Sequence, residues 1–174
     1  MTKDEMKKAV CLAIDEAAET IRQAALDIES EPELGFKETK KAAKIEAYMR
    51  SLGLEPQTGL ALTGVKSKVP GKDKGPTVAV LAELDAVGTP DSPKADPMTG
   101  AAHTCGHFLQ MASLLAAATG IVKSGVMKEL TGNAVFFAVP AEEYVEIDYR
   151  KRLREEGKIP MIPRQAAFNA LIPS

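Results

Sequence analysis

The amino-acid sequence predicts an α/β domain, and three observations lead there. Apolar residues recur at three- and four-residue steps from Met6 to Leu52, the period of amphipathic helices. Two later segments, Thr77 to Leu84 and Asn133 to Val139, are dense in β-branched and aromatic residues and read as strands. Between them lies an apolar helix, from about Gly106 to Ile121, and a strand-helix-strand order favours a layered sheet with helices against it.

Each element follows from local signals. Thr2 and Glu5 have capping-box spacing, and Met6, Val10, Ile14, Ala17, Ile21, Ala25 and Ile28 then form one stripe, which predicts a single long helix ended by Pro32 and Gly35. A second helix is expected over residues 37–52, with Ala42, Ile45, Met49 and Leu52 on one face and Gly53 as the stop. Leu60 to Val69 is expected as one strand closed by Pro70 and Gly71. In the strand from Thr77, alternation puts Val78, Val80, Ala82 and Leu84 on one side and brings Glu83 and Asp85 out together at its C-terminal end. Ala86 to Ala101 has no period and reads as a functional loop. The strand ending at Val139 is apolar on both faces, as for a central strand covered by helices on both sides, and Tyr144 to Gly157 reads as a charged helix.

Composition bounds the class. The chain has 174 residues, 45% hydrophobic and 26% charged, with no Trp and a formal net charge of −2, which gives no electrostatic footprint for nucleic acid. No apolar run reaches the roughly 18 residues of a membrane span, and the charged start from Met1 to Lys8 does not read as a secretory signal. Cys11 and Cys105 lack disulfide-framework spacing, so a reducing cytoplasmic compartment is expected, with Cys11 packed in the core.

The chemistry concentrates in His103-Thr104-Cys105-Gly106-His107 and the pair Glu142-Glu143, and these are the only histidines in the chain. A thiolate and an imidazole two residues apart can converge on one divalent ion, the sulfur favouring zinc. Adjacent carboxylates at a strand end point in different directions, so one can bind a metal while the other exchanges protons with water. In open α/β sheets ligands bind beyond the carboxyl ends of strands, where both acidic pairs fall. Glu83 and Asp85 can orient a ligating histidine or bind directly, and His103 can be a ligand, a substrate contact or neither. Structural alternatives stay open: Cys105 as a small core residue, His107 as a satisfied cap, the Glu pair as an acidic helix start. A Cys105 nucleophile activated by histidine is a further alternative, weakened by the two-residue spacing.

These residues resemble the M20 family of metal-dependent peptidases and amidohydrolases, in the branch with a His-x-Cys-Gly-His signature that includes N-acyl amino acid and aminobenzoyl-glutamate amidohydrolases. Supporting marks are Pro32-Glu33-Leu34-Gly35-Phe36 with Glu38, Glu83-Leu84-Asp85-Ala86-Val87, and Pro140-Ala141-Glu142-Glu143. The resemblance implies a three-layer α/β/α zinc-exopeptidase-like catalytic domain, present in its N-terminal part over residues 1–159, whereas residues 160–174, with three prolines and no clear period, depart from the family and read as an irregular tail. It also implies a paired zinc or manganese centre, with Cys105, His107 and Glu143 as metal ligands and Glu142 as general base. Glu83, Asp85 and His103 would stand around them. The implied reaction is hydrolysis of the amide bond of an N-acyl amino acid or small peptide by metal-held hydroxide. Members of the family supply further histidines after the Glu pair and an inserted dimerisation domain. None of these is found in this sequence, so impaired activity is expected of it, and a non-catalytic fragment or interaction module that retains part of the fold is the alternative.

Overall fold

Thr2 caps the first helix as its spacing predicts: its Oγ1 accepts the Glu5 N–H at 3.2 Å while the Glu5 carboxylate accepts the Thr2 N–H at 2.7 Å. The computed structural model describes residues 1–159, so the tail expected at 160–174 lies outside the described residues. The expected single helix is two, α1 (Lys3–Glu16) and α2 (Ala18–Glu29), because Ala17 leaves the helical region at φ −100°, ψ 3°. The apolar stripe runs on through Ala13, Ala17, Ile21, Ala25 and Ile28, all buried, and the bend lets both halves follow one neighbouring helix. Cys11 departs from expectation: it is exposed on α1 rather than packed in the core.

Helix α3 (Thr39–Ser51) buries Lys41, Ile45 and Met49, a four-residue rhythm that places an amine in the apolar stripe. The expected strand from Leu60 is a hairpin, β1 (Gln57–Leu60) and β2 (Gly64–Pro70). Ala61 and Leu62 reverse the chain between them at φ 47° and 81°. β3 (Asp73–Glu83) starts earlier than predicted and is exposed through most of its length, with Val78 65% and Leu81 49% accessible. The loop after it is pinned at its ends by a small antiparallel pair, β4 (Val87–Gly88) with β5 (Ala101–Ala102), which the sequence reading missed.

Helix α4 (His107–Ser124) crosses the sheet and, after a single turn at Val126–Lys128, leads to β6 (Thr131–Val139). A Cβ on Gly120 would lie 2.8 Å from Val10 Cγ1, so glycine is what allows α1 to sit against α4. The sheet order is β1-β2-β6-β3, with β6 antiparallel to β2 and parallel to β3. One face of β6, Phe136 and Ala138, packs with Val65 and Ala82 under Ile28, Ile45, Met111 and Leu115. The other cluster, Leu60, Val135, Phe137 and Val139, is drawn from strands alone, so among the described residues helices cover β6 on one side rather than the expected two. The α/β class holds, and no helix among the described residues is long and apolar enough to cross a membrane. The last helix among the described residues, α5 (Ile147–Glu155), is shorter than the predicted 144–157 and docks by Leu153 against Phe36 and Ala141.

Candidate metal centre

The fold brings the two acidic pairs and the Cys-His motif to one end of the sheet, beyond the C-terminal ends of the parallel strands β3 and β6. Gly106, at φ 89°, turns the chain into α4, so His107 opens the helix and Cys105 precedes it. Both sit at the positive end of the helix dipole, whose pull toward a thiolate at Cys105 is outweighed in the metal-free protein by burial and the neighbouring carboxylates. One ligand atom each from Cys105, His107 and Glu143 lies within 4.8 Å of the others, and the same holds for Glu83, His107 and Glu142. The structural alternative of an acidic helix start is excluded for the Glu pair, because α5 begins only at Ile147.

His107 is common to both groupings and is nearly buried. Its Nδ1 lies 2.8 Å from the Asp85 carbonyl oxygen, which can only accept, so Nδ1 carries the hydrogen and Nε2 faces the other donors. Nε2 is 2.8 Å from Glu83 Oε2 and 3.9 Å from Glu143 Oε1. Asp85 is fully buried; its Oδ2 accepts the Glu143 N–H at 2.9 Å, and its Oδ1 lies 3.3 Å from His107 Nδ1. Asp85 thus orders the histidine through its backbone carbonyl and Glu143 through its carboxylate. Glu83 also accepts from Gln110 Nε2 at 2.9 Å.

The donor set fits a divalent cation: a sulfur, an imidazole nitrogen and carboxylates, with Asp85 backing the imidazole at Nδ1. Without an ion, protons balance this charge. Burial opposes a charged His107, but the hydrogen bonds and charge of Asp85, with Glu83, outweigh it and raise its pKa to about 9. Partial desolvation, together with the Glu143 and Asp85 carboxylates, pushes the Cys105 thiol up. A cation must displace these protons, so its apparent affinity is expected to fall about tenfold per pH unit for each proton displaced below the relevant pKa. Chelator-competition titrations with zinc at several pH values between about 6 and 8 check this, and a flat profile would contradict it.

His103 is placed apart from both groupings. Its Nε2 accepts from Lys41 Nζ at 3.3 Å, its ring meets Phe108 edge-on at 5.8 Å, and its Nδ1 is buried without a partner. Burial, helped by the Lys41 and His107 charges, lowers its pKa to about 3, so it stands neutral. Lys41 also donates to the Glu33 carbonyl oxygen at 3.2 Å, and burial draws its amine down to about 8. Sequence reasoning missed Lys41, although its place four residues before Ile45 in the apolar stripe of α3 was the available signal. Glu38 was noted only as part of a motif; it is fully buried and accepts from Thr63 Oγ1 at 2.6 Å and from the Ala141 N–H at 2.8 Å.

No protein-family model matches the chain. YhaA of Bacillus subtilis, named as an amidohydrolase, is 34% identical over 147 residues, which cover 83% of this chain and 37% of that protein. Thermostable carboxypeptidase 2 of Saccharolobus solfataricus is 32% identical over 148 residues, again covering 83% of this chain and 37% of that protein. Among solved structures, the dinuclear metal-binding M20 peptidase YXEP of Bacillus subtilis aligns with a TM-score of 0.61 and 27% identity, over 79% of this chain and 39% of that one. The chain belongs to the M20 family. This M20 chain spans a little over a third of the length of the relatives it matches. The α/β architecture agrees with the M20 catalytic domain, of which the chain covers only part.

Proposed function

We propose that this M20 chain carries part of the catalytic domain of a metal-dependent amidohydrolase, within residues 1–159, that cleaves the amide bond of an N-acyl amino acid or small peptide. The observation that carries the reading is the convergence of Cys105, His107 and Glu143 with Glu142 and Glu83 around one imidazole. The relatives' names, amidohydrolase and carboxypeptidase, both describe amide hydrolysis. Cys105, His107 and Glu143 would hold the ion, zinc being favoured over manganese by the thiolate. Nε2 of His107 can bind only one ion, so the two groupings describe one site rather than a pair, and the second ion of the dinuclear relative needs other ligands.

When bound there, a divalent cation acidifies water and polarises the substrate carbonyl. Glu142 takes the proton of the attacking water and returns it to the departing amine. Asp85 fixes the His107 tautomer and the Glu143 backbone, while Glu83 shares the Nε2 side of the imidazole. The paucity of disulfide signals supports a cytoplasmic setting.

Purified chain loaded with zinc or manganese and offered a panel of N-acyl amino acids is expected to bind metal stoichiometrically and to release free amino acid in a chelator-sensitive reaction. Stoichiometric metal without turnover would favour the reading of a non-catalytic module that retains the centre. Absence of both metal binding and turnover would overturn the proposal.

A further inference from the structure

The acidic doublet is held from behind by charged groups that no metal-site reading requires. Arg150, on α5, is only 2% exposed. Its Nε donates to the Val145 carbonyl at 2.7 Å, and its Nη2 donates to the carbonyls of Ala141, at 3.3 Å, and of Glu143. The guanidinium lies over the Phe36 and Tyr144 rings at 5.0 and 5.6 Å. From the other side, Glu38 accepts the Ala141 N–H. Ala141 has φ 54°, an unfavourable conformation for a residue with a side chain, and such strain persists only where surroundings over-determine it. Here both of its polar backbone groups are gripped, by the buried side chains of Glu38 and Arg150. A Cβ on Gly35 would lie 3.0 Å from Ala141 Cβ and 3.2 Å from Arg150 Nη2, so the 32–38 loop closes directly onto this joint.

We infer that Arg150 is a positioning residue, clamping the carbonyls of Ala141, Glu143 and Val145 so that Glu142 and Glu143 leave the backbone in fixed, different directions. The inference rests on the reading of that pair as base and ligand, but the clamp itself is a property of the chain without metal. The physical case is the geometry of the donor: a planar guanidinium presents several N–H groups in a rigid fork, whereas a lysine ammonium is a point charge. Three carbonyls within five residues are held by one side chain, so loss of it frees the whole turn at once. Ion pairing and stacking at α5, with Lys37 Nζ 2.6 Å from Glu146 Oε1, keep the arginine's own helix seated.

The test uses the full chain with Arg150→Ala and Arg150→Lys, and reads two quantities. Amide hydrogen exchange at Ala141 and Glu143 is compared with that at Ile45 and Phe136 in metal-free protein. Cobalt(II) affinity and the thiolate-to-cobalt absorption of Cys105 are followed in parallel. The alanine variant is expected to exchange about tenfold or more faster at 141 and 143 with the core amides unchanged. Its cobalt affinity should fall about 10–100-fold, as for loss of a supporting group, with the absorption band recovered at saturating metal. Millimolar guanidinium should restore part of both, and lysine should fall between wild type and alanine. Unchanged exchange at 141 and 143 overturns the clamp, as does a rise matched by Ile45 and Phe136 with no guanidinium rescue. Should the alanine variant not fold, the lysine variant carries the same comparison. If wild-type chain binds no cobalt, the metal reading fails and the exchange data alone decide the clamp.

Discussion

Alanine in place of His107 is expected to abolish stoichiometric binding of zinc or cobalt, a larger loss than the roughly 10–100-fold that removal of a supporting group costs. The reason is its position as the one residue shared by both ligand groupings. Without its Nε2, the remaining donors come from separate segments, Cys105 ahead of α4 and Glu143 beyond β6, with no nitrogen to join them. The substitution also removes the imidazolium that balances Glu83 and the buried Asp85 in metal-free protein, so thermal stability has to be measured alongside metal content. Retention of one tightly held ion per chain by a folded variant would move the centre away from this imidazole.

The second large effect belongs to the acidic doublet, where neighbours are assigned opposite tasks. Glu142→Gln is expected to lower amide hydrolysis by about 10²–10⁴-fold, the usual worth of a general base, while bound metal stays stoichiometric. Glu143→Gln should instead cost the metal and, with it, the activity. Metal analysis of the two variants separates these outcomes, since glutamine preserves size and a carbonyl oxygen but cannot take a proton from water at neutral pH. If metal is lost at 142 and kept at 143, the two roles are exchanged.

Much of this was legible in the sequence because periodicity and residue type are local signals. Alternation in β3 and the apolar run of β6 placed Glu83, Asp85 and the Glu pair at strand ends, the apolar helix after Gly106 put Cys105 and His107 at its start, and the structure gathers these residues together. The bend at Ala17 was not legible, since the apolar stripe runs through it without interruption. Nor was the β1–β2 reversal, because Ala61 and Leu62 are not residues that ordinarily adopt positive φ. The buried charges were the harder case. Glu38 and Arg150 look in sequence like solvated positions, and only contacts between segments far apart in the chain bury them, such as Glu38 to Ala141. Arg150 in particular sits in a charged stretch with no local mark to set it apart.

The outer strand of the sheet carries a practical consequence. Among the described residues β3 pairs with β6 on one side only and stands at the margin of the sheet. Its first half is guarded against stray pairing, because Asp73 and Lys74 are charged and Pro76 has no N–H to offer. The stretch from Val78 to Leu81 has no such guard and presents accessible apolar side chains. Backbone groups along that stretch are a template for another polypeptide, so self-association that grows with protein concentration should begin there, and a lysine introduced at Val78 is the conservative way to suppress it.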